Sequence, residues 1–337
     1  MMLKPAVPPT DPTAAILIVM PRFLGDAVTA TSAVQMIRML YPQNPIFLLT
    51  WPHVAQLFAN HDFAGCQVIV DGRYAKPKQS LWRVARQLAR YNFSRVYHLR
   101  NSFSDALLCT LAGIRDQIGY AKNGRTPLLS QAFKLDPNFH YQYRYGNLVN
   151  LAHGQPFTEM PQISLNAGKI SFTDSAKQVV VYFGGRYKLS RHYPFELASQ
   201  ALSLLAAHHN CHFVLLGDHQ EVVENAALAD YLRAEGIAVT DVTAKTTVAE
   251  LADIINGSDL VFSIDSGQMH IAAALKIPYV AVIGFGTSPW SCVEPKVTHG
   301  IHLTCNSQAL DLDKQICEIS PQLVADAAKR LLAPKEA

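Results

Sequence analysis

No apolar run in the 337 residues reaches the roughly 18 that would cross a bilayer as a helix. The first apolar segment, residues 14–20, is short. It lacks a charged leader and a small-residue cleavage site, and reads as a first strand rather than a signal peptide. Cysteine is scarce and scattered: Cys66, Cys109, Cys211, Cys292, Cys305 and Cys317 never form a CxxC pair. That spacing points to reduced thiols in a cytosolic protein and away from a disulfide framework. Cys292, Cys305 and Cys317 also lack the paired ligands of a zinc module. There is no GxxxxGK[ST] loop and no nucleic-acid motif, and the basic residues form no dense run. Asp311 and Asp313 are formally a DxD pair, but they lie in a polar segment with no strand before them and read as coincidence.

What the chain does have is core-forming material: 49% of its residues are hydrophobic and 16% charged. Its length suits two domains. Short apolar strands alternate with amphipathic helices. Residues 15–20, 45–50, 67–70 and 95–99 read as strands, with helices over 26–40, 54–60, 81–91 and 104–112 between and after them. The alternation weakens from about 120 to 175, where only a helix near 143–152 stands out. It then restarts with strands at 179–183, 212–217, 238–242, 260–264 and 279–283, and helices at 194–208, 221–235, 248–256, 268–275 and 320–334. The pattern predicts two doubly wound α/β domains, 1–166 and 167–337, with ligands in the cleft at the carboxyl ends of their strands. Charge divides the same way. Residues 1–166 carry 16 Lys+Arg against 8 Asp+Glu, and residues 167–337 carry 13 against 18. The basic half suits an anionic small molecule or lipid headgroup, or is simply a solvated surface. Nucleic acid is the weakest of the readings.

Four clusters carry chemistry. After the first strand, Arg22 and Gly25 lead to Asp26 at a helix start, which is either an N-cap or a general base. After the first strand of the second half come Gly184 and Gly185, then Arg186, Lys188 and Arg191, before a helix that begins near Pro194. Such a loop suits a diphosphate, or is a solvated basic loop. The third cluster is the turn Asp265-Ser266-Gly267 with His270 about one helical turn on, where helix N–H groups meet an anion. Taken singly, Asp265 reads as a cap and His270 as a packed histidine. Together at one strand-to-helix turn they read as a site. In the fourth, Asp218 reads as a cap and Glu221 as the better ribose ligand.

Together these residues resemble glycosyltransferase family 9, the ADP-heptose:lipopolysaccharide heptosyltransferases, and more the type that adds the second heptose. The likeness spans about 15–333. It is carried by D-[ST]-G-x-x-H-x-A-A-A-L from Asp265 to Leu275, by Gly284 through Pro289, by Leu24-Gly25-Asp26, and by Arg191-His192-Tyr193-Pro194 in place of K-R-W-P. Asn101 through Ala106 and Ala112 through Tyr120 also follow family segments. The resemblance implies a GT-B fold, with an acceptor-binding N-terminal domain and a nucleotide-sugar-binding C-terminal domain. It implies inverting, metal-independent transfer of heptose from ADP-heptose to the lipopolysaccharide inner core, with no cofactor. By that resemblance Asp26 is the base. Lys188, Arg191, Glu221, Asp265, Ser266, Gly267, His270 and Thr287 bind the donor. Arg22, Asn101, Ser102, Lys122 and Arg125 bind the anionic acceptor; in the basic half Lys76 and Lys78, with Lys122 and Arg125, are candidates for that contact or belong to a plain solvated face. The expected setting is cytoplasmic, with peripheral contact at the inner face of the bacterial inner membrane. Two other readings stay open: a transferase with another nucleotide sugar or a protein acceptor, and a nucleotide-binding protein without transferase activity.

Overall fold

A computed structural model describes residues 6, 11–59, 62–286, 288–305 and 315–333. The chain divides into two compact units, Met1–Asn166 with Ser291–Glu294, and Ala167–Trp290 with Pro295–Ala337.

In the first unit the elements run β1 (Ala15–Val19), α1 (Leu24–Thr29), α2 (Thr31–Leu40), β2 (Ile46–Thr50), α3 (Pro52–Ala59), β3 (Cys66–Val70), α4 (Leu81–Ala89), β4 (Phe93–His98), α5 (Phe103–Leu111), β5 (Gln117–Tyr120), β6 (Gln131–Phe133) and α6 (Tyr141–Ala152). The strands form one parallel sheet in the order β3-β2-β1-β4-β5-β6. β1 and β2 are apolar throughout apart from a terminal Thr50, and every residue in them is buried. That is what a strand covered on both faces requires. Leu17, Val19, Phe47, Leu49 and Val96 of the sheet pack with Val84 and Leu88 of α4 and Leu108 of α5. Each such side chain contributes roughly 1.5–3 kcal/mol by leaving water. The helix expected over 26–40 is broken at Ala30 into α1 and α2. Around the break, the hydroxyls of Thr29 and Thr31 donate to the carbonyls of Gly25 and Val28. Such back-bonding bends helices.

The second unit repeats the plan: β7 (Lys177–Tyr182), α7 (Phe195–Ala206), β8 (Cys211–Leu215), α8 (Val222–Ala234), β9 (Ala238–Asp241), α9 (Val248–Asn256), β10 (Leu260–Ile264), α10 (Gly267–Leu275), β11 (Tyr279–Ile283), α11 (Trp290–Val293), β12 (Gly300–Thr304) and α12 (Pro321–Leu332). α11 runs across the division between the units. This sheet is also parallel, in the order β12-β11-β10-β7-β8-β9. Renumbered from its first strand, that is the same order as in the first unit, read from the other edge. β10 and β11 are wholly buried, and α9 opens on a capping box of Thr247 and Glu250. In each sheet the strand order reverses beside the unit's first strand, at β1/β4 and at β7/β10. Open α/β sheets bind ligands beyond the carboxyl ends of the strands at such a reversal.

Candidate functional site

In the first unit a cavity of about 400 Å³ opens at the reversal point. Its lining includes Arg22, Phe23 and Asp26 after β1, Trp51 after β2, Tyr74 after β3, and Arg100, Asn101 and Ser102 after β4. Tyr141, Arg144 and Tyr145 of α6 complete a wall. Asp26 does not cap α1; Phe23 holds the N-cap position, and Asp26 lies in the first helical turn. Asp26 is half-buried, and among the described residues it is the one carboxylate lining the cavity.

Three of these residues are held by their neighbours. Trp51 stacks on Tyr74 with ring centroids 3.9 Å apart, and the Arg100 guanidinium lies 5.7 and 5.6 Å from those two rings. Arg100 donates from Nε and Nη2 to Asp105, at 2.6 and 2.7 Å. Arg73 donates from Nη2 to Asp71 and Asp105, both at 2.6 Å. Asp71 and Asp105 are fully buried. Burial would raise the Asp105 carboxyl, but the two arginines outweigh it and hold it below the usual carboxylate range. This leaves Arg100 Nη1 and Trp51 Nε1 buried with no hydrogen-bond partner among the described residues. Two fixed donors therefore serve a cavity whose other polar groups include Arg22, Arg144 and Asp26. An oxygen-rich, anionic ligand matches that lining.

In the second unit Asp265 directly follows β10, and Ser266 is the N-cap of α10. The Ser266 side chain makes no capping bond to the helix; its Oγ lies 2.9 Å from Ser263 Oγ. Among the described residues, the helix therefore begins without a side-chain cap on its N–H groups, at Gly267. His270, 7% exposed, packs one turn in. Arg191 donates from Nη1 to the Asp265 carbonyl at 3.3 Å. Burial pushes the Asp265 carboxyl up, against the pull of Arg191. Burial, with the Arg191 charge adding to it, lowers the Lys188 ammonium. The segments after β7 and β11 are tied together: Ser190 Oγ donates to the Phe285 carbonyl at 2.7 Å. A Cβ on Gly284 would lie 1.9 Å from the Ser190 carbonyl, and one on Gly286 would lie 2.8 Å from Asp265 Oδ2. Glycine is what permits both approaches.

Several sequence expectations change. Glu221 is 1% exposed; it accepts from Tyr182 and Tyr187 hydroxyls at 2.9 and 2.8 Å and from the Asp218 N–H at 2.6 Å. Its carboxylate is buried and braces the turn after β8. Arg125 does not reach a surface ligand. It is fully buried and donates to the carbonyls of Tyr120 and Arg100 and to Asn101 Oδ1. It holds the Arg100–Asn101 backbone that borders the cavity. Lys122 is exposed and outside the lining. Ser102 lines the cavity while capping α5. Thr287, and the Asp311/Asp313 pair, lie outside the described residues. Among the described residues, no disulfide joins any of the six cysteines. The reading of the sequence missed Trp51, Tyr74, Arg100 and Arg144. The first three stand one to four residues beyond the ends of β2, β3 and β4, positions that the predicted strands already marked.

The Glycosyltransferase family 9 (heptosyltransferase) model matches residues 81–309, more than half of the chain. The chain belongs to glycosyltransferase family 9. Among curated family 9 relatives, it is 24% identical over 342 residues to lipooligosaccharide heptosyltransferase 2 of Campylobacter jejuni, covering 95% of this chain and 99% of that one. The structure of Escherichia coli ADP-heptose lipopolysaccharide heptosyltransferase II aligns at a TM-score of 0.81 and 19% identity, over 94% of this chain and 98% of that one. E. coli heptosyltransferase WaaC with ADP-2-deoxy-2-fluoro heptose aligns at 0.71 and 18%, over 94% and 99%. These likenesses give the family 9 chain a GT-B fold. Among the described residues, no helix is long and apolar enough to cross a membrane.

Proposed function

We propose that the chain transfers heptose from ADP-heptose to the inner core of lipopolysaccharide, with inversion and without an obligatory metal. The observation that carries the reading is Asp26. It is relieved of capping duty, half-buried, and among the described residues the one carboxylate in a cavity whose lining includes three arginines and several aromatic rings. In this reading the first unit holds the acceptor, with Arg22, Asn101 and Ser102 joined by Arg100 and Trp51. Asp26 takes the proton of the attacking hydroxyl as its oxygen bonds to the anomeric carbon. The bond from that carbon to the diphosphate breaks, and ADP leaves with the electron pair. One displacement with one base inverts the anomeric centre.

The second unit holds the donor. Charge grows on the diphosphate as it leaves, and electrostatic stabilisation of that charge is where a transferase gains most. Arg191, Lys188 and the N–H groups at the start of α10, from Ser266 and Gly267 on, supply positive charge and donors there. Asp265 shapes the turn, and His270 lies one helical turn behind it. These groups take the part a divalent cation plays in other transferases. The names of the relatives supply the sugar and the acceptor: one acts as a lipooligosaccharide heptosyltransferase, and another was solved with an ADP-heptose analogue. A lipid-anchored acceptor also places the protein in the cytoplasm, in peripheral contact with the inner membrane. The test is Asp26→Asn. Loss of a general base costs about 10²–10⁴ in kcat, while ADP affinity measured by calorimetry stays unchanged. Turnover equal to the parent would remove Asp26 from that role.

A further inference from the structure

Between Asp71 and Asp105 the chain has no acidic residue, while residues 72–104 carry eight Lys and Arg. Arg73 and Arg100 serve the buried network, and Arg95 pairs with Asp116. The other five, Lys76, Lys78, Arg83, Arg86 and Arg90, are exposed, and none makes an ion pair among the described residues. α4 organises most of them. Its Val84, Ala85 and Leu88 are spent on the core. On the opposite face Trp82, Arg86 and Arg90 follow one another every four residues and form one stripe, with Arg83 beside it. Lys76 and Lys78 stand in the loop that leads into the helix. Trp82 is 67% exposed and makes no ring contact among the described residues. A face built only for solubility would mix charges of both signs and would not keep an indole in water.

We propose that this face of α4, with the loop before it, is a docking surface for an anionic phospholipid bilayer. Basic side chains near such a surface are attracted within a Debye length, and an indole settles at the headgroup level. Because the apolar side of α4 is committed to the core, the contact is electrostatic with a single aromatic anchor. It is reversible and needs no inserted helix. The chemistry selects lipid over a nucleic acid, since the stripe offers one aromatic ring and no row of stacking platforms. The inference builds on the proposed function only in giving a reason for membrane contact, and its primary readout involves no transfer.

The full-length protein is sedimented with vesicles of phosphatidylcholine alone or with about 30% phosphatidylglycerol, at low and high salt. Expected is partition to the anionic vesicles only, falling as salt screens the charges. The triple change Arg83→Gln, Arg86→Gln and Arg90→Gln, checked for an unchanged melting temperature, lowers partition about a hundredfold, at roughly fivefold per charge. Brominated lipid quenches tryptophan emission in the parent and far less in Trp82→Phe. Transfer to a soluble, delipidated acceptor is unaffected by the triple change, while transfer to a vesicle-borne acceptor falls. No partition, equal partition to neutral and anionic vesicles, or a triple variant that partitions like the parent would overturn the docking surface. Lack of transfer with either acceptor, alongside intact partition, would instead count against the proposed function.

Discussion

His98 ends β4, two residues before Arg100, and is fully buried. Its Nε2 lies 2.8 Å from Gln117 Oε1. Burial first, then the Arg125 guanidinium, pulls its imidazole down to about 4. In the unfolded chain a histidine titrates near 6.5. Above that value neither state holds the proton, and the stability contributed is complete. As pH falls from about 6.5 toward 4 only the unfolded chain binds the proton, so stability drains by up to about 3 kcal/mol. Asp105 acts in a different window. Its depressed carboxyl keeps its contribution until the pH drops below the ordinary carboxylate range. His153, pulled down by burial to about 4 as well, acts in the same window as His98. We therefore expect the melting temperature to fall between pH 6.5 and pH 4.5, and His98→Gln to make that fall shallower without removing the part due to His153 or the loss at lower pH. An unchanged slope in the variant would show that His98 is not the group responsible.

Elements decide how these residues meet, and they also decide what a sequence discloses. β1, β10 and β11 are covered on both faces, so their apolar runs are continuous and stand out. β5, β6 and β12 went unseen because the residues of QIGY, QAF and GIHLT mix polar and small types, and β6 and β12 are edge strands only partly buried. The same logic divides the site. The positions of Asp26, Asp265 and Arg191 in the fold were legible because each stands next to an obvious strand or helix start. The setting of Glu221 was not legible, because a carboxylate after a strand looks the same in sequence whether it faces a ligand or two tyrosines. Arg125 misled because its partners are two carbonyls and an amide that only the folded chain brings together. The glycines after β11 are more telling. Gly286→Ala puts a methyl 2.8 Å from Asp265 Oδ2, so the carboxylate must shift. A displacement worth about 1.4 kcal/mol weakens ADP about tenfold. Titration calorimetry on the variant measures this directly. ADP affinity equal to the parent would mean that Asp265 does not shape the anion site.

At the scale of the whole molecule, two sheets of the same strand order carry different equipment at their reversal points. The first offers a cavity with one carboxylate, three arginines and stacked aromatic rings. The second offers a helix start without a side-chain cap, backed by Arg191 and Lys188. The proposed function assigns a nucleotide diphosphate to the second and a sugar acceptor to the first, although the net positive charge lies in the first half of the chain. Global electrostatics alone would send ADP to the first unit, so its location separates local geometry from overall charge. At about 100 times its Kd, ADP stabilises the site it binds by roughly 2.7 kcal/mol. Hydrogen exchange followed by mass spectrometry should then show slowed amides in 184–191, 265–271 and 283–286, with little change in 21–26, 51–53 and 99–102. The reverse pattern would exchange the roles of the two units and, with them, the assignment of Asp26 to the acceptor.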